Sequence, residues 1–215
     1  MKLTDKELTF IKTIRKSADR CKHGHTLLSH PNCFPVQSQD KVCFFDLEFM
    51  GQKADWGIIL CWVIGDEAGG EWWGVLKDIR KTDATIVQNC VKKLQEFDVV
   101  VGHCSSWIDV PYLRTRALIN KVSFPKHGEL RQLDLWRVCK YKYSFAKNSQ
   151  VALSLAARGK TRKSSVEGYA WCEAAFYNNK VKQQQILEHC KNDIKDLREN
   201  YLAVKEQIGK VRQYI

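Results

Sequence analysis

The 215-residue sequence predicts one α/β domain on a mixed central sheet, preceded by a short Cys/His-rich extension. Three observations predict it. The stretch Val42-Cys43-Phe44-Phe45-Asp46-Leu47-Glu48-Phe49 is apolar or thiol at six of eight positions, as expected of a strand buried on both faces. Three strands are followed by a helix, a strand, a helix and a strand, an order that mixes antiparallel with parallel pairing. A hydrophobic fraction of 44% and a charged fraction of 27% fit a soluble globular core.

Taken in order, Thr4 and Glu7 form a capping box ahead of Leu8, Ile11 and Ile14, which predicts a helix from about Asp5 to Ala18. Next come Cys21-x3-His25 and His30-x2-Cys33, whose spacing suits a small tetrahedral zinc site, with His23 able to replace His25. The alternative is a polar loop with incidental histidines. A structural zinc would staple a segment too short for its own core. Nine cysteines, an odd number without a regular framework, fit reduced thiols or metal ligands. The expected division is residues 1–40 for the helix and zinc segment, and 41–215 for the main domain.

After the Asp46 strand, Gly57–Ile64 and Glu71–Leu76 read as strands of a hairpin turning at Gly69-Gly70. Thr82 is placed to cap a helix bearing Ile86, Val87, Val91, Leu94 and Phe97. Asp98–Gly102 is a short strand, Val110–Asn120 a helix, and Leu130–Val138 a strand. From Ser149 the chain reads as mainly helical, ending in a long helix over Lys182–Val211. No run of about 18 apolar residues occurs, and the N-terminus lacks a signal peptide's apolar core, so a cytoplasmic protein away from membranes is expected.

Asp46 and Glu48 lie two apart on one strand and project from the same face. Buried like charges are costly unless a cation or proton offsets them, which predicts a metal site fed by further acids. Asp109 precedes Pro111, which suits the first turn of a helix; an N-cap role and a site role are compatible there. His189 and Asp193 lie four apart beside the stripe Ile186, Leu187, Cys190, Ile194 and Leu197, which puts Asp193 nearer the core than Asp196. A surface ion pair is the alternative for His189 and Asp193. The net charge of +11 suggests a polyanionic partner. Arg158, Lys160, Arg162 and Lys163 form the densest basic run and suit phosphate contact. Trp107, Tyr112, Trp136 and Trp171 suit base stacking and core packing alike.

A strand bearing Asp-x-Glu, a Gly-His segment leading to Asp-x-Pro-Tyr-Leu, and a late helix with His-x3-Asp resemble, in that order, the motifs of the DnaQ-like (DEDD) exonucleases. The chain looks most like the YprB-type RNase H-like proteins, some of which carry a similar Cys/His-rich segment, and the resemblance runs from about Cys21 to Tyr201. It implies an RNase H-like fold in which Asp46, Glu48, Asp109 and Asp193 hold two magnesium or manganese ions about 3.5–4 Å apart. It implies that Asp46 bridges both ions, that Glu48 and Asp193 complete one and Asp109 the other, and that His189 orients or deprotonates the water. His103 is implied at the substrate, and Asp134 either supports the site or is a plain strand-end acid. The chain departs from the family in its His-x3-Asp spacing, in Cys104 where asparagine is usual, and in Ile108 where phenylalanine is usual. The expected activity is metal-dependent hydrolysis of DNA or RNA, 3′→5′ from single-stranded ends. A binding module without turnover and an RNase H-like endonuclease are the alternatives, and the oligomeric state is not indicated.

Overall fold

The computed structural model describes residues 20, 24–26, 40–78, 82–126 and 129–208. The predicted first helix and Cys21, His23, His30 and Cys33 of the zinc segment lie outside the described residues, leaving only His25 of that set. The strands are β1 (Val42–Met50), β2 (Ile58–Asp66), β3 (Glu71–Val75), β4 (Val99–Gly102) and β5 (Arg131–Asp134). The helices are α1 (Ala84–Leu94), α2 (Asp109–Ile119), α3 (Leu135–Lys142), α4 (Gln150–Arg158), α5 (Gly168–Phe176) and α6 (Lys180–Ile208).

The five strands form one sheet in the order β3-β2-β1-β4-β5. The first three pair antiparallel, while β1–β4 and β4–β5 are parallel, so β1 stands where the two kinds of pairing meet. That position buries the first half of the strand and leaves its carboxyl end partly open. Its first four residues are buried, as are all four of β4. Helices cover both faces. Long α6 packs across β2 and β1 with α4 and α5 beside it, and α1 and α2 pack behind. Gly65 of β2 admits α6: a Cβ there would lie 2.8 Å from Ile194 Cγ2. On the other face Phe49 stacks on Tyr112 at 3.9 Å between centroids, and the Tyr112 hydroxyl donates to the Met50 and Gly51 carbonyls.

Three expectations are corrected. The run Leu130–Val138 is not one strand: β5 stops at Asp134, whose side chain accepts from Trp136 N at 2.9 Å and starts α3. Asp109 does not cap α2; Ile108 holds the N-cap position, and Asp109 is the first helical residue. Asp196, at 0% exposure, is deeper than Asp193 at 6%. Among the described residues no helix is long and apolar enough to cross a membrane. The seven described cysteines are free thiols.

Candidate active site

The site begins with the pleat of β1. Phe44, Asp46 and Glu48 share the face that α6 crosses, and α6 runs antiparallel to the strand. Phe44 therefore meets Tyr201 (centroids 5.6 Å apart), Asp46 meets Cys190, and Glu48 meets His189. The Cys190 thiol donates to Asp46 Oδ2 at 3.1 Å, and the Trp171 indole of α5 donates to Glu48 Oε2 at 3.2 Å. His189 Nε2 stands 3.7 Å from Glu48 Oε1 and 3.8 Å from Asp193 Oδ2, while its Nδ1 is 2.9 Å from Ser164 Oγ.

Asp109 arrives by another route. The turn from Gly102 to Ile108 leaves β4 and must fold tightly to start α2. A Cβ on Gly102 would lie 1.9 Å from Ser105 Oγ, so glycine is required there. Cys104 adopts a left-handed φ of 65°. Asp134 pins the turn: its carboxylate accepts from Cys104 N at 2.9 Å, Ser106 N at 3.0 Å and Ser106 Oγ at 2.6 Å. Asp134 thus supports the site through the loop that carries Asp109.

The electrostatics bind these residues into one cluster. Burial, then the charge of Asp193, pushes the Asp46 carboxyl up to about 7. Burial, then Asp46, pushes Glu48 up to about 8. Asp109 is driven well above the carboxylate range by burial and then by Asp46, Glu48 and Asp134. Burial holds the His189 imidazole below its usual value; Asp193 opposes this and Lys163 adds to it. The balancing cation is Lys163, whose Nζ lies 2.8 Å from Asp193 Oδ2. Burial pulls that ammonium down, but the bond to Asp193 and the charges of Asp46 and Glu48 outweigh it and hold its pKa above the ordinary value.

Asp46, Glu48, Asp109, Asp193 and His189 are therefore brought together from β1, α2 and α6. The fit to cations is mixed in form and clear in chemistry. Among the described residues, no group of three or more His, Cys, Asp or Glu side chains is arranged to hold a metal as the side chains stand. Yet the donors are carboxylate oxygens, three of them disfavour ionisation as they are, and buried Asp193 Oδ1 has no hydrogen-bond partner. Magnesium or manganese suits that donor set.

The basic run divides. Arg158 and Arg162 turn inward to Asp196 and Glu199, and Thr161 Oγ1 donates to Asp196 Oδ2 at 2.6 Å. Lys163 enters the acid cluster, and Lys160 is exposed. His103 sets Nε2 2.9 Å from the Asn148 carbonyl, and its buried Nδ1 has no partner. Sequence reasoning missed Ser164, the contacts of Trp171 with Glu48 and of Cys190 with Asp46, and the inward role of Lys163. Trp171 and Glu48 are 123 residues apart, and no local pattern announces their contact.

No family model matches the chain, and no curated protein matches it. Among solved structures it is similar to the family B DNA polymerase from the hyperthermophilic archaeon Pyrobaculum calidifontis. The TM-score is 0.62 at 17% identity, over 80% of this chain and 25% of the polymerase chain. The fold is RNase H-like. The chain thus corresponds to about a quarter of that polymerase's length. In the RNase H-like sheet the acids of β1 lie on the central strand, with Asp109 following the carboxyl end of its parallel neighbour β4.

Proposed function

We propose that the chain is a metal-dependent nuclease of the DnaQ-like (DEDD) kind, which hydrolyses DNA or RNA 3′→5′ from single-stranded ends. One observation carries the reading. Four carboxylates from three elements share one site with a single half-exposed ammonium, and the buried Asp193 Oδ1 is unpartnered. Buried carboxylates in such surplus are ordinarily held by cations. The +11 net charge and the likeness in fold to part of a DNA polymerase support nucleic acid as the partner.

Asp46, Glu48, Asp109 and Asp193 would hold two magnesium or manganese ions. Bound there, the cations supply the positive charge that phosphodiester hydrolysis needs at the scissile phosphate. The remaining work falls to side chains. Cys190 and Trp171 each fix one carboxylate oxygen, of Asp46 and Glu48, leaving the other oxygen of each to turn toward a ligand. His189 is neutral at pH 7 because burial holds its pKa down. With Nδ1–H donating to Ser164 Oγ, Nε2 presents a lone pair beside Glu48 and Asp193, from which it accepts the proton of the attacking water. Lys163 sits on the segment between α4 and α5 with its side chain 41% exposed, so it can leave Asp193 for a substrate phosphate.

Binding without turnover is the second reading. It is favoured by the contact of Lys163 with Asp193 and by the absence, among the described residues, of a three-ligand arrangement. End-labelled single-stranded DNA and RNA, incubated with magnesium or manganese, separate the two. The nuclease reading expects shortening by wild type and none by Asp46→Asn, with circular strands left intact. Strand binding by both proteins, with no cleavage under either metal, would leave the binding module.

A further inference from the structure

We propose that α3, together with Trp107 of the turn before α2, forms a platform for an unpaired nucleic-acid strand. It rests on the nuclease reading only for its place beside Asp109. Residues 135–166 contain eight Lys or Arg and no Asp or Glu. Arg158, Arg162 and Lys163 of that stretch are spent on the acids of α6. Of the other five, Arg137, which also meets Ser106 Oγ, Lys140 and Lys142 lie on α3 itself.

Arg137 and Lys140 lie among rings. Trp107 is 42% exposed and Tyr141 64%. Trp136 braces Trp107 edge-on at 4.4 Å between centroids. The Arg137 guanidinium lies 5.4 Å from the Trp107 centroid, and Lys140 Nζ lies 4.9 Å from Trp136 and 5.6 Å from Tyr141. Among the described residues no ion pair engages Lys140 or Lys142. Rings open to solvent and interleaved with cations match a strand that offers bases and phosphates alternately. A duplex hides the faces of its bases and offers phosphates alone. Trp107 precedes Asp109 by two residues in the turn that starts α2, which sets the platform beside that acid in the chain.

The test uses Asp46→Asn protein, which keeps a strand intact, and a fluorescent 20-nucleotide oligo-dT. Trp107→Ala with Tyr141→Ala weakens binding on the order of tenfold or more, and affinity for a duplex of the same length changes far less. Lys140→Gln lowers the slope of log affinity against log salt by about 0.7, the loss of one single-strand phosphate contact. Thermal melts confirm that the variants fold, and Tyr141→Ala alone provides an exposed change if Trp107→Ala perturbs the turn. Unchanged oligo-dT binding in both variants overturns the platform, even where the wild-type protein cleaves. Oligo-dT binding that falls in the variants upholds it, even where wild type fails to cleave. Binding to phosphatidylserine vesicles that the same substitutions abolish, with oligo-dT binding unaffected, assigns the surface to a membrane and also overturns it.

Discussion

Asp193 and Asp196 lie within one turn of α6, and the chain treats them in opposite ways. Asp196 accepts from Thr161 Oγ1, Arg162 N and the Arg158 and Arg162 guanidinium groups. Burial would raise its pKa, but those bonds outweigh burial and hold it below the ordinary range. Asp83 is handled alike. It is fully buried, with Arg116 bidentate at 2.8 and 2.9 Å, Ile59 N at 2.9 Å and Asn120 Nδ2 at 2.6 Å, and its pKa is likewise lowered against burial. Around Asp193 the acids Asp46, Glu48 and Asp109 have their pKa values raised, and one lysine serves the group. The saturated acids hold the fold together. The unsaturated ones are an incomplete electrostatic arrangement that a ligand must finish, which is what a binding or catalytic centre requires.

Opposite responses to neutralisation are the sharpest consequence. Arg116→Met strands Asp83 as a buried uncompensated charge and should destabilise the protein by about 3–5 kcal/mol in urea unfolding. Asp46→Asn removes a charge the fold already disfavours, so metal-free stability should hold or rise. Comparable losses in both variants would break the contrast and make Asp46 a structural acid.

Cation binding should act on one region alone. Manganese at a hundred times its dissociation constant stabilises a one-site protein by about 2.7 kcal/mol. In a domain of this size that is on the order of 5–10 °C in Tm. Asp193→Asn should abolish most of the shift, and Arg116→Met should keep it from a lower baseline. An equal shift in wild type and Asp193→Asn would place the cation elsewhere.

The pH dependence of metal-free stability follows from the raised carboxylates. Asp46 and Glu48 move from 3.8 and 4.5 up to about 7 and about 8, so the native state holds protons that the unfolded chain has released. Their contribution is full below pH 4 and is lost as pH rises through 7 and 8. Urea midpoints should therefore fall between about pH 5 and pH 8. Asp46→Asn with Glu48→Gln should flatten that decline, and saturating manganese should reverse it. A midpoint that climbs over this window would mean that His103 and His189, both held below their usual value by burial, dominate instead.

Much of this was legible in the chain, for reasons that differ by residue. Asp46 and Glu48 stood out because two acids in an apolar strand contradict its pattern, and β1, β2 and β4 are short runs that only a buried strand explains. Leu130–Val138 misled because a short apolar run fits strand and helix equally, and the arbiter was the capping bond from Trp136 N to Asp134. Asp196 looked peripheral because helical periodicity measures distance from an apolar stripe, whereas its burial comes from the Arg158–Lys163 segment folding back over it. The same fold-back turned two arginines inward from a run that looked solvent-facing. Trp171 at Glu48 and Lys163 at Asp193 depend on packing between distant elements, which periodicity does not encode.

The smallest predicted effect concerns the turn that delivers Asp109. Cys104 holds φ at 65°, a left-handed conformation that costs a cysteine energy and that asparagine tolerates well. Its N–H is the donor to Asp134 Oδ1, so the conformation is imposed by the same carboxylate that starts α3. Asparagine, the residue usual at this place in the DnaQ-like pattern, would relieve the backbone without disturbing the N–H. Cys104→Asn should raise stability by roughly 0.5–1 kcal/mol in urea unfolding and leave manganese affinity unchanged. Asp134→Ala should do the reverse, loosening the turn and weakening manganese binding although Asp134 lies behind the loop. If Cys104→Asn instead destabilises, thiol packing outweighs backbone strain. A turn held by the cysteine side chain would then group Asp109's support with the saturated regions of the molecule.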